Sequence, residues 1–389
     1  MQQHKEQGMQ EIHEALQRLE TTMSESSPIV SLYVNLGPSI DERRTLGARL
    51  RNLLEPLQNL EAKLDHDGRM TLRRASQKIL DLEGQIARNP GHCVAVFVGG
   101  SPEIDEFLTL PRKAWDVALA ASRPYLRPFI ATLDQFHRVA TLIVDPRHST
   151  ITVTYMGKSL DHVEVESEPI RKADYGGWKG LDEHRVRQHA EEVHRRHYRE
   201  VAERLQQLKE AHELDVAFVG GRDETISSFL HHLPNGLKSL VAETFIVDVH
   251  TETPGTIAKI TAELEETFEA KLESELLVQV MESAQAGGLA VIGIDDTLAA
   301  ANLDAVELLL VAGTSMIPGW ACGNCGWLAM TGPTCSACQS EATAVDDIVE
   351  SVLSKVRRAG ARAEHLATAS ELDQHHLAAR TRFQIPSVL

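Results

Sequence analysis

Residues 139–156 read VATLIVDPRHSTITVTYM. An apolar run ends at Asp145, the chain turns through Pro146, Arg147, His148 and Ser149, and a second β-rich run returns to Met156. Two such runs around a short proline-containing turn predict a β-hairpin. A polar loop, EPIRKADYGGWKG (168–180), then leads into the long helical pattern VRQHAEEVHRRHYREVAERLQQL. Apolar runs return at LDVAFVGG (214–221) and, after a short helix, at LVAETFIVDV (240–249). Strands alternating with helices of this length imply a mixed or parallel α/β sheet.

The same alternation extends both ways. Upstream lie PIVSLYVNL (28–36), helical stretches at 41–65 and 70–88, and HCVAVFVGG (92–100). Downstream come a long helix at 256–286, GLAVIGID (288–295), a helix at 297–304 and VELLLVAG (306–313). A cysteine cluster, a helix at 344–360 and the run RTRFQIPSVL complete the chain. A length of 389 residues exceeds one ordinary core. The reading is therefore an α/β protein of three domains, 1–130, 131–255 and 256–389, each block with mixed or parallel sheets. No solenoid-length repeat or low-complexity tract interrupts it.

With 42% hydrophobic and 24% charged residues, the chain has a soluble globular balance. Its opening helix, MQQHKEQGMQEIHEALQRLE, has no signal-peptide core, and no run approaches about 18 apolar residues. A cytoplasmic protein without a membrane partner is expected. The net charge of −17 disfavours a surface that coats nucleic acid, and DNA is not an expected partner. Charge is uneven, however. Residues 171–209 carry ten Lys/Arg against seven Asp/Glu, with four histidines besides. A basic element on an acidic body fits a partner that is anionic at one place only.

Four of the five cysteines form the pattern Cys322-x2-Cys325-x9-Cys335-x2-Cys338. Two residues between cysteines let both thiolates of a knuckle face one ion, and two knuckles supply four soft ligands, which suits tetrahedral Zn²⁺. Filled by four thiolates, such a site has no open position for water, so its role is structural. Paired disulfides are the alternative, disfavoured without an export signal. Trp320 and Trp327 flank the first knuckle and are expected to pack on this small ribbon, 318–342. Cys93, inside HCVAVFVGG, reads as a buried, inert thiol.

Glycine pairs at 99–100, 220–221 and 287–288 border apolar runs and read as turns. No phosphate-loop or dinucleotide pattern follows any of them. Asp295-Asp296 reads as a helix N-cap rather than a catalytic pair. The adjacent pairs His231-His232 and His375-His376 read as no metal site. Gly176-Gly177 differs, because it sits in a polar loop with Arg171, Lys172, Trp178 and Lys179. Behind it, Val186, Ala190, Val193, His197, Val201, Leu205 and Leu208 form one helical stripe to be buried. Arg185, Arg187, Arg195, Arg196 and Arg199 project elsewhere, some of them free for ordinary ion pairs such as Glu191–Arg195 and Glu192–Arg196. His184, His189, His194 and His197 fall at about 0°, 140°, 280° and 220° around the helix, so they do not converge. Glycines that admit close backbone approach, an aromatic that stacks and cations that neutralise phosphate together suit RNA.

These residues resemble the archaeal and eukaryotic class-1 release factor and Pelota family, specifically its bacterial relatives. The hairpin, the Gly-Gly loop and the helix ending HRRHYREVAERL look like that family's middle domain, in which a Gly-Gly-Gln loop precedes a basic helix. The block GLAVIGID to ANLDAVELLLVAG looks like its C-terminal domain, which is similar to kink-turn-binding ribosomal proteins, and the zinc ribbon matches a minidomain of archaeal members. The resemblance implies a three-domain release-factor/Pelota-like architecture. Where the family places a glutamine that positions water against the peptidyl-tRNA ester, this chain has Trp178. An indole has one N–H donor and no carbonyl acceptor. Asn-Ile-Lys-Ser and Tyr-x-Cys decoding motifs are absent from the first block.

The resemblance thus implies a non-catalytic factor in the ribosomal A site, a hibernation or protection factor. Its Gly176-Gly177-Trp178-Lys179 loop would lie near the peptidyl-transferase centre, with Arg171, Lys172, Arg185 and Arg187 on rRNA phosphates. Its C-terminal domain would contact a translational GTPase such as elongation factor Tu. Two other readings stay open: a rescue factor that hydrolyses peptidyl-tRNA with Gln188 or backbone groups, and a non-ribosomal zinc-ribbon scaffold for RNA or protein.

Overall fold

The computed structural model describes residues 2–24, 26–37, 43–167, 181–248 and 252–385. Contacts divide the chain into one unit formed chiefly of Phe136–Glu269 and a second formed of Gln7–Gln135 with Ala270–Leu389. Among the described residues no helix is long and apolar enough to cross a membrane.

In the second unit, the apolar runs Ile29–Asn35 (β1) and Cys93–Gly99 (β2) pair antiparallel, with Leu32 opposite Val96. Ile104–Leu110 (β3) joins β2 and Val117–Ala121 (β4) joins β1, giving the order β3-β2-β1-β4. Every pairing in this sheet is antiparallel, which corrects the expectation of a mixed or parallel one. The correction comes from β3 and β4, short half-exposed strands whose weak alternation does not stand out in the sequence. β2 turns back into β3 through Gly99 and Gly100 at φ 107° and 82°, a backbone region that side chains disfavour. The helix expected over 41–65 is a helix Leu46–Leu54 followed by a 3₁₀ segment, Glu55–Lys63. Pro56, which has no N–H to donate, sits at the change. His66–Asp81 follows, capped by Asp65, whose Oδ1 accepts the Gly68 N–H at 2.8 Å. These helices bury Leu46, Leu50, Leu72 and Ile79 against Val30, Leu32, Val94 and Val96.

The hairpin forms in the first unit as predicted. Val139–Val144 (β5) pairs antiparallel with His148–Tyr155 (β6), Leu142 opposite Ile151. A third strand, Lys158–Glu166 (β7), extends it, and Val216–Gly221 (β8) and Val241–Ile246 (β9) add in parallel on the other side of β5. The mixed sheet β7-β6-β5-β8-β9 carries a helix on each face. Leu181–His212, with no glycine or proline in its 32 residues, packs Tyr198, Val201, Leu205 and Leu208 on Ala140, Leu142, Ile151 and Val153. Each such fully buried aliphatic contributes about 1.5–3 kcal/mol. The helix ends where Glu213 adopts φ 51° and the Leu214 N–H reaches back to Lys209 O. On the other face, Leu264 and Phe268 of the helix Pro254–Gln285 meet Val139, Val216 and Phe218.

Beside those side chains, His137 Nε2 bonds the Glu269 carboxylate, and Glu265 Oε1 accepts the His137 N–H at 3.1 Å. Burial pulls the His137 pKa down, but the bond and charge of Glu269 outweigh it and leave the imidazole above its ordinary value. The folded form therefore binds the proton more tightly than the unfolded chain. Its stabilisation is complete below about pH 6.5 and is lost as pH rises through the raised folded value. His137→Gln is expected to remove that slope from a denaturation series between pH 6 and 9; an unchanged slope would assign it to another group.

In the carboxy-terminal part of the second unit, Ala290–Ile292 (β10) and Val306–Ala312 (β11) lead to a small sheet of Gly319–Cys322 (β12), Leu328–Ala329 (β13) and Ala342–Val345 (β14). Arg362–Leu366 (β15) and Leu377–Thr381 (β16) complete a second sheet, ordered β10-β16-β11-β15. β11 and β15 are parallel across the helix Ile348–Arg358; the other pairs are antiparallel. Asp295 and Asp296 lie in the first turn of the helix Ile294–Asn302, not at its N-cap, which is Gly293. There they face the positive end of the helix dipole.

Candidate metal centre and nucleic-acid interface

The four cysteines converge. In the first knuckle the Gly326 N–H donates to Cys322 O at 2.9 Å and the Cys322 N–H donates to Trp327 O at 2.8 Å. The second repeats it: Gln339 N–H to Cys335 O, and Cys335 N–H to Ser340 O, both at 2.9 Å. Gly326 and Gln339 occupy equivalent left-handed positions, φ 71° and 62°, where the chain must reverse after the second thiol. Cys322 and Cys338 Sγ lie 3.5 Å apart, Cys325 and Cys335 Sγ 3.6 Å, and all four lie within 4.8 Å of one another. Bonds of about 2.3 Å in a tetrahedron put thiolates about 3.8 Å apart, so the set fits one metal ion with little adjustment. All are free thiols.

Ser340, aided by Asn324 Nδ2 at 3.6 Å from the sulfur, draws the Cys338 thiol down to about 5. At Cys325 the Trp327 backbone bond lowers the thiol, but hydrogen bonding to Cys338 pushes it up to about 12, so the neighbouring thiols share their protons unequally. The Trp320 ring packs over Gly332 so closely that a Cβ there would fall 2.2 Å from it. Lys355 Nζ donates to Gly326 O at 2.9 Å, and Asn302 bonds both N–H and C=O of Leu328, which dock the first knuckle on two helices. Cys93 is fully buried in β2, and burial raises its thiol to about 12, as an inert core residue requires.

Arg171, Lys172, Gly176, Gly177, Trp178 and Lys179 lie outside the described residues. Arg185 and Arg187 lie on the first two turns of the basic helix, their side chains outside the description. Further along, the stripe is as the sequence predicts: Val193, His197, Val201, Leu205 and Leu208 are buried. His197 Nε2 lies 2.9 Å from Ser149 Oγ, tying helix to hairpin turn, and burial lowers its pKa, so it is neutral at physiological pH. It is a core residue and not a phosphate ligand. Arg195 pairs with Glu192 at 3.3 Å, three residues back rather than four. Arg196, Arg199 and Arg204 are exposed along one flank, interleaved with Glu200 and Glu203. Between the hairpin and β7, half-buried His148 and exposed Glu166 approach to 3.4 Å, and on β7 exposed His162 and Glu164 approach to 3.5 Å.

Sequence reasoning missed one cluster. Arg127, 1% exposed, lies 2.9 Å from Asp347, also 1% exposed, with Tyr125 Oη on the same carboxylate oxygen at 2.9 Å. Trp115 stacks on the guanidinium at 5.5 Å. The one signal for it is an arginine inside the apolar run YLRPFIATL.

A family model described as bacterial archaeo-eukaryotic release factor family 10 matches residues 124–285. Solved structures similar to the chain include an archaeal translation termination factor, aRF1, with 15% identity over 96% of this chain and 98% of that one, TM-score 0.26. Archaeoglobus fulgidus Pelota shares 14% over 76% and 81%, TM-score 0.34. An archaeal Pelota described as ribosome-bound with ABCE1 shares 15% over 73% of each, TM-score 0.40. No curated protein matches.

Proposed function

We propose, from the premise that residues 124–285 belong to the bacterial archaeo-eukaryotic release factor family, that this protein binds the ribosome without releasing its peptide. It occupies the A site, does not decode, and protects idle ribosomes. The observation that carries the second half is Trp178 after Gly176-Gly177, where release factors need a glutamine. Indole has no acceptor to orient the attacking water, and its ring is suited to stacking on a base. Arg171, Lys172, Lys179, Arg185 and Arg187 supply cations for rRNA phosphates beside it. The four-cysteine ribbon holds Zn²⁺ as a structural ion. The acidic remainder of the chain fits a protein partner, and a translational GTPase is the class that the family resemblance supports.

Co-sedimentation with vacant bacterial ribosomes at physiological salt tests the reading. Wild-type protein is expected in the pellet. A Lys179→Glu/Arg185→Glu variant is expected to bind at least about tenfold more weakly, and its log affinity should fall less steeply with log salt, by about one in slope for each phosphate left without its cation. Protein left wholly in the supernatant would favour the scaffold reading. Peptide released from ribosomes carrying peptidyl-tRNA would favour rescue.

A further inference from the structure

We infer that Arg127 is a clasp through which metal loading of the ribbon and the packing of the helix Arg127–Asp134 form one linked equilibrium. Arg127 Nη2 donates to Gly313 O at 2.7 Å and Nη1 to Ser315 O at 3.0 Å, on the segment that leads into β12. The same Nη1 donates to Asp347 Oδ2 at 2.9 Å, two residues past the end of β14. One side chain, from a helix outside the ribbon, therefore holds both of its ends. Asp347 Oδ1 in turn accepts the Val349 N–H at 3.1 Å, and the two ends meet where the Ile348 N–H donates to Ile317 O at 2.7 Å.

Besides the ion, the ribbon is held by short strands and by the bonds of Lys355 and Asn302 to its first knuckle. Its strands are two to four residues long, and its tightest cluster is the four thiols. Metal-centred folds of this size lose their structure without the ion. When that happens, the carbonyls at 313 and 315 and the carboxylate at 347 lose their fixed spacing. A guanidinium with no access to water is then left short of partners. The strain falls on the helix Arg127–Asp134, seven of whose eight residues are buried, and on Leu126, whose N–H donates to Glu350. Linkage is reciprocal, so loosening the clasp must weaken metal binding by the same factor.

Two measurements on the full chain test this. Competition with a chromogenic zinc chelator is expected to show Arg127→Gln holding Zn²⁺ about tenfold more weakly than wild type. Because that variant could fold poorly, the reverse direction uses unmodified protein. Removing zinc with a chelator is expected to speed amide exchange of residues 129–134 about tenfold, with that of 319–345. Acceleration confined to 319–345, or a folded Arg127→Gln that keeps wild-type zinc affinity, overturns the clasp. A wild-type chain that takes up no zinc overturns it as well, together with the ribbon's metal assignment, while leaving ribosome binding to be judged by co-sedimentation.

Discussion

Replacing Cys335 and Cys338 together with serine is expected to reduce bound zinc from about one ion per chain to background, measured by elemental analysis after gel filtration. Structural zinc sites of this kind are worth about 10–16 kcal/mol near neutral pH. Two remaining thiolates retain only a small part of that, since hydroxyls are poor partners for the ion. Amides of the ribbon should lose protection while the cores around Leu32 and Val96, around Leu142 and Val201, and around Leu308 and Leu310 keep theirs, because those three clusters draw on no residue of 318–342. Full zinc content in the double variant would sink the four-thiolate centre.

The second large effect concerns the buried ion pair. Asp347→Leu alone should lower stability by about 3–5 kcal/mol in a denaturant titration, because it strands the Arg127 charge in the core. Arg127→Met/Asp347→Leu should recover most of that loss, since a buried pair replaced by apolar groups is often neutral. A residual deficit of about 1 kcal/mol is expected, because Asp347 also caps the helix Ile348–Arg358 through the Val349 N–H. A double variant as unstable as the single one would place the cost in the missing cap and packing rather than in the orphaned charge.

What the sequence disclosed was local. The hairpin at 139–156 follows from two β-rich runs and one turn, and the buried stripe from Val193 to Leu208 follows from helical spacing alone. Four cysteines at fixed intervals announced their own convergence. Longer-range facts were hidden. β3, IDEFLTL, and β4, VALAA, mix acidic residues or alanines with few large apolar side chains, so the antiparallel sheet around β1 was not legible. The helix over 41–65 concealed its change at Pro56. Arg127 finds its carboxylate at position 347, and no periodicity links residues so distant. The loop 171–179 was legible as chemistry, a glycine pair with an aromatic and cations, and that pattern remains the basis of the functional proposal.

The meeting of the ribbon's two ends has a consequence for descent. A module whose first and last residues stand one hydrogen bond apart, Ile317 to Ile348, spans a gap that a very short turn would close. Inserting or deleting it leaves β11 and the helix Ile348–Arg358 joined in the same geometry, and closure entropy varies only slowly with the length of what is added. A single recombination event could therefore give or remove the ribbon without rebuilding the domain. Lineages of this fold are expected to differ by its wholesale presence or absence rather than by its gradual erosion. Those without it should also lack a reason to keep an arginine at position 127.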